Sequence, residues 1–398
     1  MKYVITMYTF DSISGDVALI FIFFGMSLAV SLSAVIYLLL RRGNAFAPDV
    51  TPPLRLRRWA ASFFCIAALE HVWWFLLYIY TGGFHSESDL LNSSAYLTIA
   101  VFDFATLYTT ITGTMLAMLQ DRRRPMWPIF VGMLPFVAIG MVLIYSPGHY
   151  LSLICLAYIL LFYLFFAIYM LFAIRQYGRW LRDNYADLER KEVWLTFVLS
   201  LAFMLLFFVY TLINDDYIQF IILNIIEIAL CVFLLWRVET LPQLSVEDCV
   251  SEQVTTASDV EELTIPVQNE QSPAFHSNIV MSQMEQMLAE HCVDTQLYLQ
   301  YDLTLQQLAQ ALGTNRSYLS QYFSHHGMNY NSYINGLRIN HFIQLYQEAV
   351  STQRPFTIQQ LAGESGYHSY STFSNAFKQR MGQSVTAWIR NAESHDIP

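Results

Sequence analysis

Five polar residues stand inside long apolar stretches of the chain, where their side chains could carry out proton or ion chemistry. They are Glu70, His71, Asp103, Asn224 and Glu227. Ionisable groups in apolar surroundings are costly, and they commonly face one another or a polar partner. A histidine among carboxyl groups predicts a candidate site for a proton, a cation or a small polar ligand. The alternative is that these groups only form hydrogen bonds between helices and bind no ligand.

The cysteines indicate neither a metal site nor a disulfide. The chain has five, at Cys65, Cys155, Cys231, Cys249 and Cys292. Their spacing fits no metal motif, and three of them lie in apolar segments, where a small buried thiol is the usual interpretation. The apolar segments also lack a nucleophile motif. We therefore expect no metal, no cofactor and no enzymatic activity.

The composition indicates that much of the chain lies in lipid. It is 55% hydrophobic and only 13% charged, whereas soluble domains carry roughly 25% charged residues. Seven apolar runs reach the length of about 20 residues that a helix needs to cross a bilayer. The predicted spans are Val17–Leu40, Trp59–Tyr80, Ala95–Leu119, Met126–Tyr145, Tyr150–Ile174, Val193–Ile213 and Tyr217–Trp236.

The loops between these spans alternate in charge. Arginines concentrate in the first, third and fifth loops, whereas the loops between them carry acidic residues or no charge. By the positive-inside rule the arginine-rich loops are cytoplasmic. This predicts a multi-pass protein of the bacterial inner membrane, with residues 1–16 in the periplasm and everything after Arg237 in the cytoplasm. Glu70, Asp103 and Glu227 would then lie at similar depth, roughly 12–15 Å below the outer surface, and could form one cluster.

Residues 238–278 differ in character from the predicted membrane domain at 17–237. They hold eight acidic residues, three prolines and no lysine or arginine. Too few large apolar residues are present to form a core, so the composition predicts a disordered acidic linker. The last region, residues 279–398, regains a helical period.

A sequence pattern occurs twice in this C-terminal region. TLQQLA begins at Thr304 and leads to Gly313, and TIQQLA begins at Thr357 and leads to Gly366. Each copy predicts a short helix, a glycine turn and a second short helix, which is the helix-turn-helix pattern. The second helix of such a motif enters the major groove of DNA.

The helical period predicts the elements of this region and their inward faces. We expect Thr304 to be an N-cap. The predicted helices are Gln306–Leu312, Asn315–Ser324, Tyr330–Val350, Ile358–Glu364, Ser369–Arg380 and Ser384–Arg390. The predicted core residues are Leu308, Leu319, Phe323, Leu361, Phe373 and Phe377.

From about Leu303 to Arg390 the chain resembles the DNA-binding domain of AraC/XylS-type transcriptional regulators. The matching residues include Leu308, Ala309, Leu312, Gly313, Tyr318, Leu319, Ser320, Phe323, Gly327, Tyr333, Ile334, Asn335, Arg338, Ile339, Ile358, Leu361, Ala362, Gly366, Tyr367, Ser369, Ser371, Phe373, Phe377, Lys378 and Gly382. Three residues depart from the family pattern, one of which is Arg390, displaced by one position. Val385 stands where a proline is common, and Phe342 stands where an alanine is usual.

The resemblance implies two helix-turn-helix units, joined by a long helix, that dock on successive faces of the major groove. For base contacts we expect solvent-facing hydroxyl and amide side chains. They are Ser317, Ser320 and Gln321 in the first unit and Tyr370, Ser371 and Asn375 in the second. For phosphate contacts we expect the basic residues Arg316, Arg338 and Lys378. Seven acidic residues against six basic ones between Glu285 and Glu393 predict weak DNA binding by a monomer, which clustering in a membrane could offset.

Together these patterns predict an all-α protein, with a seven-helix transmembrane bundle followed by a cytoplasmic double helix-turn-helix domain. The predicted function is a membrane-embedded one-component transcriptional regulator whose bundle senses a signal. Its expected partners are promoter DNA, the lipid bilayer, RNA polymerase, other copies of the chain and an unknown small-molecule or ionic signal. Two alternatives stay open. The chain could be a transporter or membrane enzyme with a regulatory appendage, or the bundle could be only an anchor.

Overall fold

The computed structural model describes residues 15–41, 43–81, 94–145, 149–212, 216–244 and 283–395. The described elements are helices, which confirms the all-α prediction. The chain divides into two compact units. The first comprises Met1–Arg175 and Val193–Val250, and the second comprises Gln176–Glu192 and Ser251–Pro398. The fifth predicted loop therefore belongs with the C-terminal region, an assignment that the sequence pattern did not indicate.

Seven long helices account for the predicted spans. They are α1 Gly15–Leu40, α2 Leu54–Thr81, α3 Ser94–Ala117, α4 Trp127–Tyr145, α5 His149–Asn184, α6 Trp194–Leu212 and α7 Asp216–Thr240. Within the described ranges, all of them except α6 are long and apolar enough to cross a membrane, and α6 contributes a shorter apolar stretch at Trp194–Leu206. Helix α5 runs past Arg175, so its last turns belong to the second unit.

Helices α1, α3 and α7 of the first unit pack against α2, whereas α4 packs on α3 and α6 on α7. Gly113 of α3 allows a close approach, because a Cβ atom at this position would lie 2.2 Å from the ring of Trp59. Aromatic contacts join α5 to α3, with the ring centroids of Tyr108 and Tyr163 4.6 Å apart. The outer side of α5 exposes large apolar side chains, among them Phe165 and Phe172. Exposed apolar surface of this extent is typical of contact with lipid.

The end of α7 is packed rather than free, so the predicted linker start at Val238 is too early. Glu239 is fully buried, and its carboxylate lies 3.2 Å from the guanidinium Nε of Arg57. Just beyond the helix, the Gln120 side chain donates a hydrogen bond of 3.0 Å to the carbonyl of Pro242. The ion pair and the hydrogen bond hold the chain as far as Leu244. The rest of the predicted linker, from residue 245 to 278, lies outside the described residues, as do residues 1–14 of the predicted periplasmic segment.

The second unit contains the predicted helices, with ends that differ by at most one residue except in the last helix, which extends to His395 instead of Arg390. Residues 283–293 are helical. They are followed by α8 Leu305–Ala311, α9 Arg316–His325, α10 Tyr330–Ser351, α11 Ile358–Glu364, α12 Tyr370–Met381 and α13 Val385–His395. The predicted N-cap is confirmed, because the Thr304 hydroxyl accepts a hydrogen bond from the Gln307 N–H and the Gln307 side chain accepts one from the Thr304 N–H. The turn glycines Gly313 and Gly366 have φ of 64° and 88°, a conformation that glycine adopts without strain.

Two hydrophobic cores fill this unit, and α10 contributes to both. Tyr330 and Ile334 lie in the first core, and Ile339, Phe342 and Tyr346 lie in the second. The six predicted core residues, Leu308, Leu319, Phe323, Leu361, Phe373 and Phe377, are all 2% exposed or less, as expected. The ring of Phe342 lies 4.5 Å from that of Phe373, measured between centroids. The larger residue at this position therefore fills the centre of the second core.

Candidate nucleic-acid interface

The second helix of the first helix-turn-helix, α9, has one apolar and one polar face. Leu319 and Phe323 point into the first core. Ser317 and Gln321 are exposed on the opposite side, and Ser320 is half-buried at its edge. The Asn315 side chain caps the helix by accepting a hydrogen bond from the Tyr318 N–H. The exposed face thus offers hydroxyl and amide groups that can bind base edges.

The corresponding helix of the second motif, α12, has the same organisation. Phe373 and Phe377 are fully buried. The predicted contact residues are exposed on the other side, namely Tyr370, Ser371, Asn375 and Lys378. Lys378 lies in the last turn of the helix, where a positive charge also interacts favourably with the helix dipole. The second helices of the two motifs, α9 and α12, which we call the recognition helices, therefore present polar faces of similar chemistry.

Arg338, predicted to bind phosphate, is instead a buried structural residue. It is fully buried, and its Nη1 atom lies 2.9 Å from Oδ1 of Asp187. Its Nε and Nη2 atoms donate hydrogen bonds to the carbonyls of Tyr298 and Gln300, at 2.7 and 2.8 Å. A buried guanidinium needs such partners, since an unpaired charge in a protein interior is strongly unfavourable. The predicted phosphate contact does not fit this arrangement.

The other predicted phosphate ligand near this region, Arg316, is half-buried at the start of α9. Its Nε atom donates a hydrogen bond of 2.8 Å to the Asn184 side chain, at the end of α5. The chain around Asp187, the partner of Arg338, therefore also contacts the first turn of α9. Arg316 keeps part of its surface open to solvent, so a role at the DNA surface stays compatible with its position.

The sequence pattern did not reveal that Glu189 contacts the start of α12. The hydroxyls of Ser369 and Thr372, at the start of α12, each donate a hydrogen bond of 2.6 Å to the Glu189 carboxylate. The basic residues of the fifth predicted loop indicate only its side of the membrane. The signal that could have revealed these contacts is the presence of Asp187 and Glu189 among those bases.

The surroundings of Glu189 stabilise its charged form. Burial alone would raise the pKa of its carboxyl group, but the hydrogen bonds from Ser369 and Thr372 and the nearby Arg190 and His368 outweigh burial, and the pKa is lowered. The carboxylate is therefore charged at neutral pH, as a hydrogen-bond acceptor at a helix N-terminus should be.

In the first unit, three of the five predicted sensor residues meet. The Nε2 atom of His71 lies 3.4 Å from Oε2 of Glu227 and 3.4 Å from Oδ1 of Asn224. Its Nδ1 atom is 2.7 Å from the carbonyl oxygen of Ala67. The imidazole of α2 is thus held between its own helix and two polar residues of α7.

The two remaining predicted sensor residues lie within electrostatic range of this group, Glu70 of Glu227 and Asp103 of His71. The indole N–H of Trp73 donates a hydrogen bond of 2.6 Å to Oδ1 of Asp103, and Glu70 is half-buried on α2 beside His71. Oδ2 of Asp103 and Oε1 of Glu227 are buried without a hydrogen-bond partner among the described residues. Within the residues that the structure describes, no three His, Cys, Asp or Glu side chains are arranged to hold a metal ion.

The comparisons with known proteins identify the C-terminal region alone. Residues 308–391 match the family model described as "Helix-turn-helix domain". No curated protein and no solved structure matches the chain. The matched residues span both helix-turn-helix units, the joining helix α10 and most of α13. This part of the chain is therefore an AraC-type helix-turn-helix domain, the kind of domain with which transcription regulators bind double-stranded DNA.

Proposed function

We propose that the protein is a membrane-embedded one-component transcriptional regulator of a bacterial inner membrane. The observation that carries the proposal is an AraC-type DNA-binding domain on the same chain as six helices that are long and apolar enough to cross a bilayer. The outward apolar side chains of α5 support contact with lipid. A domain that binds promoter DNA and a membrane-embedded bundle then act in a single molecule.

The stretches of the chain that make up the second unit support the proposed topology. The residues up to Glu192 and the described residues from 283 onward both belong to this unit. A segment whose two ends belong to one compact domain must cross the membrane an even number of times. Since α7 is long enough to cross, α6 crosses as well. With the arginine-rich loops in the cytoplasm, the N-terminus lies outside and the DNA-binding domain lies inside.

We assign base contacts to the exposed polar faces of the two recognition helices. The proposed residues are Ser317, Ser320 and Gln321 on α9 and Tyr370, Ser371 and Asn375 on α12. Arg316 and Lys378 would bind phosphates, whereas Arg338 supports the fold. Because the domain is nearly neutral, it gains little from phosphate neutralisation. Clusters or dimers in the membrane would raise its effective concentration at a promoter, where RNA polymerase would be the target of an activator.

The cluster around His71 is the proposed sensor of the bundle, for a proton, a cation or a small polar ligand. Its support is an imidazole between Glu227 and Asn224, with unpartnered carboxylate oxygens on Asp103 and Glu227. Buried polar atoms without a partner commonly mark a site for water, an ion or a ligand. Expression from a target promoter should respond to external pH or sodium in the wild type and not in Glu227→Gln. An unchanged response in that variant would assign the cluster to packing alone.

Genome-wide crosslinking and immunoprecipitation of the intact, membrane-retained protein tests the main proposal. We expect discrete promoter peaks that disappear in a Gln321→Ala/Asn375→Ala double variant, because a good amide–base pair contributes about 1–3 kcal/mol of discrimination. The matched control is Asn340→Ala/Gln347→Ala, which removes the same two side-chain types from the exposed side of α10. Absence of wild-type peaks, with the protein inserted and folded, would favour a transporter or another membrane function.

A further inference from the structure

A short segment that begins at the last residue of α5, Asn184–Lys191, lies against the DNA-binding domain within the second unit; we name it the clasp. Ala186 is 1% exposed and belongs to the same core as Leu308 and Phe323. Its N–H donates a hydrogen bond of 3.2 Å to the carbonyl of Leu303. Its own carbonyl accepts one of 2.5 Å from the Asn331 side chain. The clasp is thus built into the first helix-turn-helix half.

Charge pairs fix the middle and the end of the clasp. Asp187 is paired with the buried Arg338 at 2.9 Å, and its second oxygen accepts a hydrogen bond of 2.9 Å from the N–H of Asp302. The Nζ atom of Lys191 lies 2.8 Å from the Asp302 carboxylate. The Asp187 pair is buried whereas Asp302 is largely exposed, so Ala186 and Asp187 form the anchor of the clasp.

Glu189 extends from this anchor to the N-terminus of the second recognition helix. Its carboxylate accepts hydrogen bonds from Ser369, which is the N-cap of α12, and from Thr372 in the first turn. The Ser369 hydroxyl is also 2.9 Å from that of Ser371, a proposed base contact. The N-terminus of a helix is a binding site for anions, including phosphate. Glu189 therefore occupies a position at which a DNA phosphate oxygen would bind.

The opposite end of the clasp engages the first recognition helix. The Asn184 side chain accepts a hydrogen bond from Arg316 at 2.8 Å, and Arg316 is the first residue of α9. In helix-turn-helix proteins the N-terminal residues of the recognition helix contact base edges. The clasp thus contacts the N-terminal turns of both recognition helices, where DNA contacts are expected.

We propose that the clasp is an autoinhibitory contact, in which Asn184 and Glu189 compete with DNA for the N-terminal ends of the two recognition helices. The inference rests on the proposed DNA-binding function. The clasp is covalently continuous with α5 and α6, so a displacement of these helices moves it directly. Release of Glu189 and Asn184, with Ala186 and Asp187 still docked, would open the DNA-binding face while the domain stays folded. This connection is independent of the segment that follows α7.

The variant Glu189→Gln distinguishes competition between Glu189 and DNA from a purely structural role of Glu189. The variant keeps the side-chain length but removes the charge that mimics phosphate, and Glu189 is exposed, so the domain should stay folded with only a small loss of stability. The matched control is Glu348→Gln, which removes one negative charge from the exposed side of α10. The assay measures binding of intact protein, in lipid nanodiscs, to a promoter fragment recovered by immunoprecipitation. The Gln321→Ala/Asn375→Ala double variant reports the background.

We expect Glu189→Gln to bind the fragment about threefold to tenfold more tightly than the wild type, since tenfold corresponds to one good charged contact of about 1.4 kcal/mol. Glu348→Gln should bind as the wild type does. Equal affinity of Glu189→Gln and the wild type, both above background, overturns the clasp proposal and leaves the proposed function intact. Weaker binding by Glu189→Gln also overturns it. Binding at background level by the wild type and Glu189→Gln alike overturns both proposals.

Discussion

The two helix-turn-helix halves share a sequence pattern but complete their folds differently. The first core needs Ala186 from the clasp, whereas the second core is formed by residues between Ile339 and Ile389 alone. The turns differ as well. Only Thr314 separates Gly313 from the N-cap of α9, but Tyr367 and His368 separate Gly366 from the N-cap of α12.

The additional residue in the second turn has a structural use. Tyr367 is 2% exposed, and its ring centroid lies 5.3 Å from that of Phe373. The guanidinium carbon of Arg338 lies 5.4 Å from the same ring. The longer turn thus supplies its own aromatic residue to the second core. The comparison teaches that a repeated motif can build its hydrophobic core from its own residues in one copy and include a distant segment in the other.

The largest expected effect comes from removing the partner of Arg338. We expect Asp187→Ala to destabilise the second unit by about 3–5 kcal/mol, because it leaves a buried charge unpaired. Hydrogen exchange of the α10 amides in the intact protein measures this change. The control is Asp302→Asn, which weakens a more exposed pair with Lys191 and should cost less than about 1 kcal/mol. Equal, small effects of the two variants would show that the first half does not depend on the clasp.

The two turn glycines give the next largest difference. Gly313→Ala and Gly366→Ala both place a Cβ atom at positive φ, which costs about 1–2 kcal/mol. At Gly366 the new Cβ would also lie 2.8 Å from the carbonyl oxygen of Leu299, whereas nothing lies within 4 Å at Gly313. We expect Gly366→Ala to cost about 1–3 kcal/mol more, as overpacking does. Thermal unfolding of the two variants compares them directly, and a greater loss at Gly313 would contradict this account of the turns.

The smallest effect concerns pH and the contact of the clasp with α12. The pKa of Glu189 is lowered in the folded protein by Ser369, Thr372, Arg190 and His368 in spite of its burial. A lowered carboxyl pKa adds stability above the ordinary value of 4.5, and this stability is lost as the pH falls through the folded value. The melting temperature of the wild type should therefore exceed that of Glu189→Gln near neutral pH, and the difference should vanish in acid. A difference that grew as the pH fell would contradict the charged contact.

Local sequence signals predicted the helices of the C-terminal domain well. The Thr304 cap, the glycine turns and the inward positions such as Leu308 and Phe373 all follow from residue type and spacing within a few turns. The role of Arg338 could not be derived in this way. Its partner Asp187 is 151 residues away in sequence, and no local pattern encodes that pairing.

The long apolar helices of the first unit show the same limit. Apolar length predicted each of them, because crossing a bilayer depends on composition. The meeting of His71 with Glu227 and Asn224 depends on which helix faces meet, and a nearly uniform apolar helix does not reveal its inner face. The sequence places Glu239 in the linker for a related reason. An acidic residue is expected to be exposed to solvent, and its buried pairing with Arg57 depends on a residue far away in the sequence.

The position of Ala186 has a consequence for the order in which the molecule is made. The clasp leaves the ribosome before α6, α7 and the whole DNA-binding domain, and domains made later fold onto what is already present. The first helix-turn-helix therefore finishes its core on a residue that is synthesised well before the rest of that core. The DNA-binding fold is thus complete only in a chain that keeps the residues at the end of α5, and a fragment that begins at residue 283 would lack part of its first core.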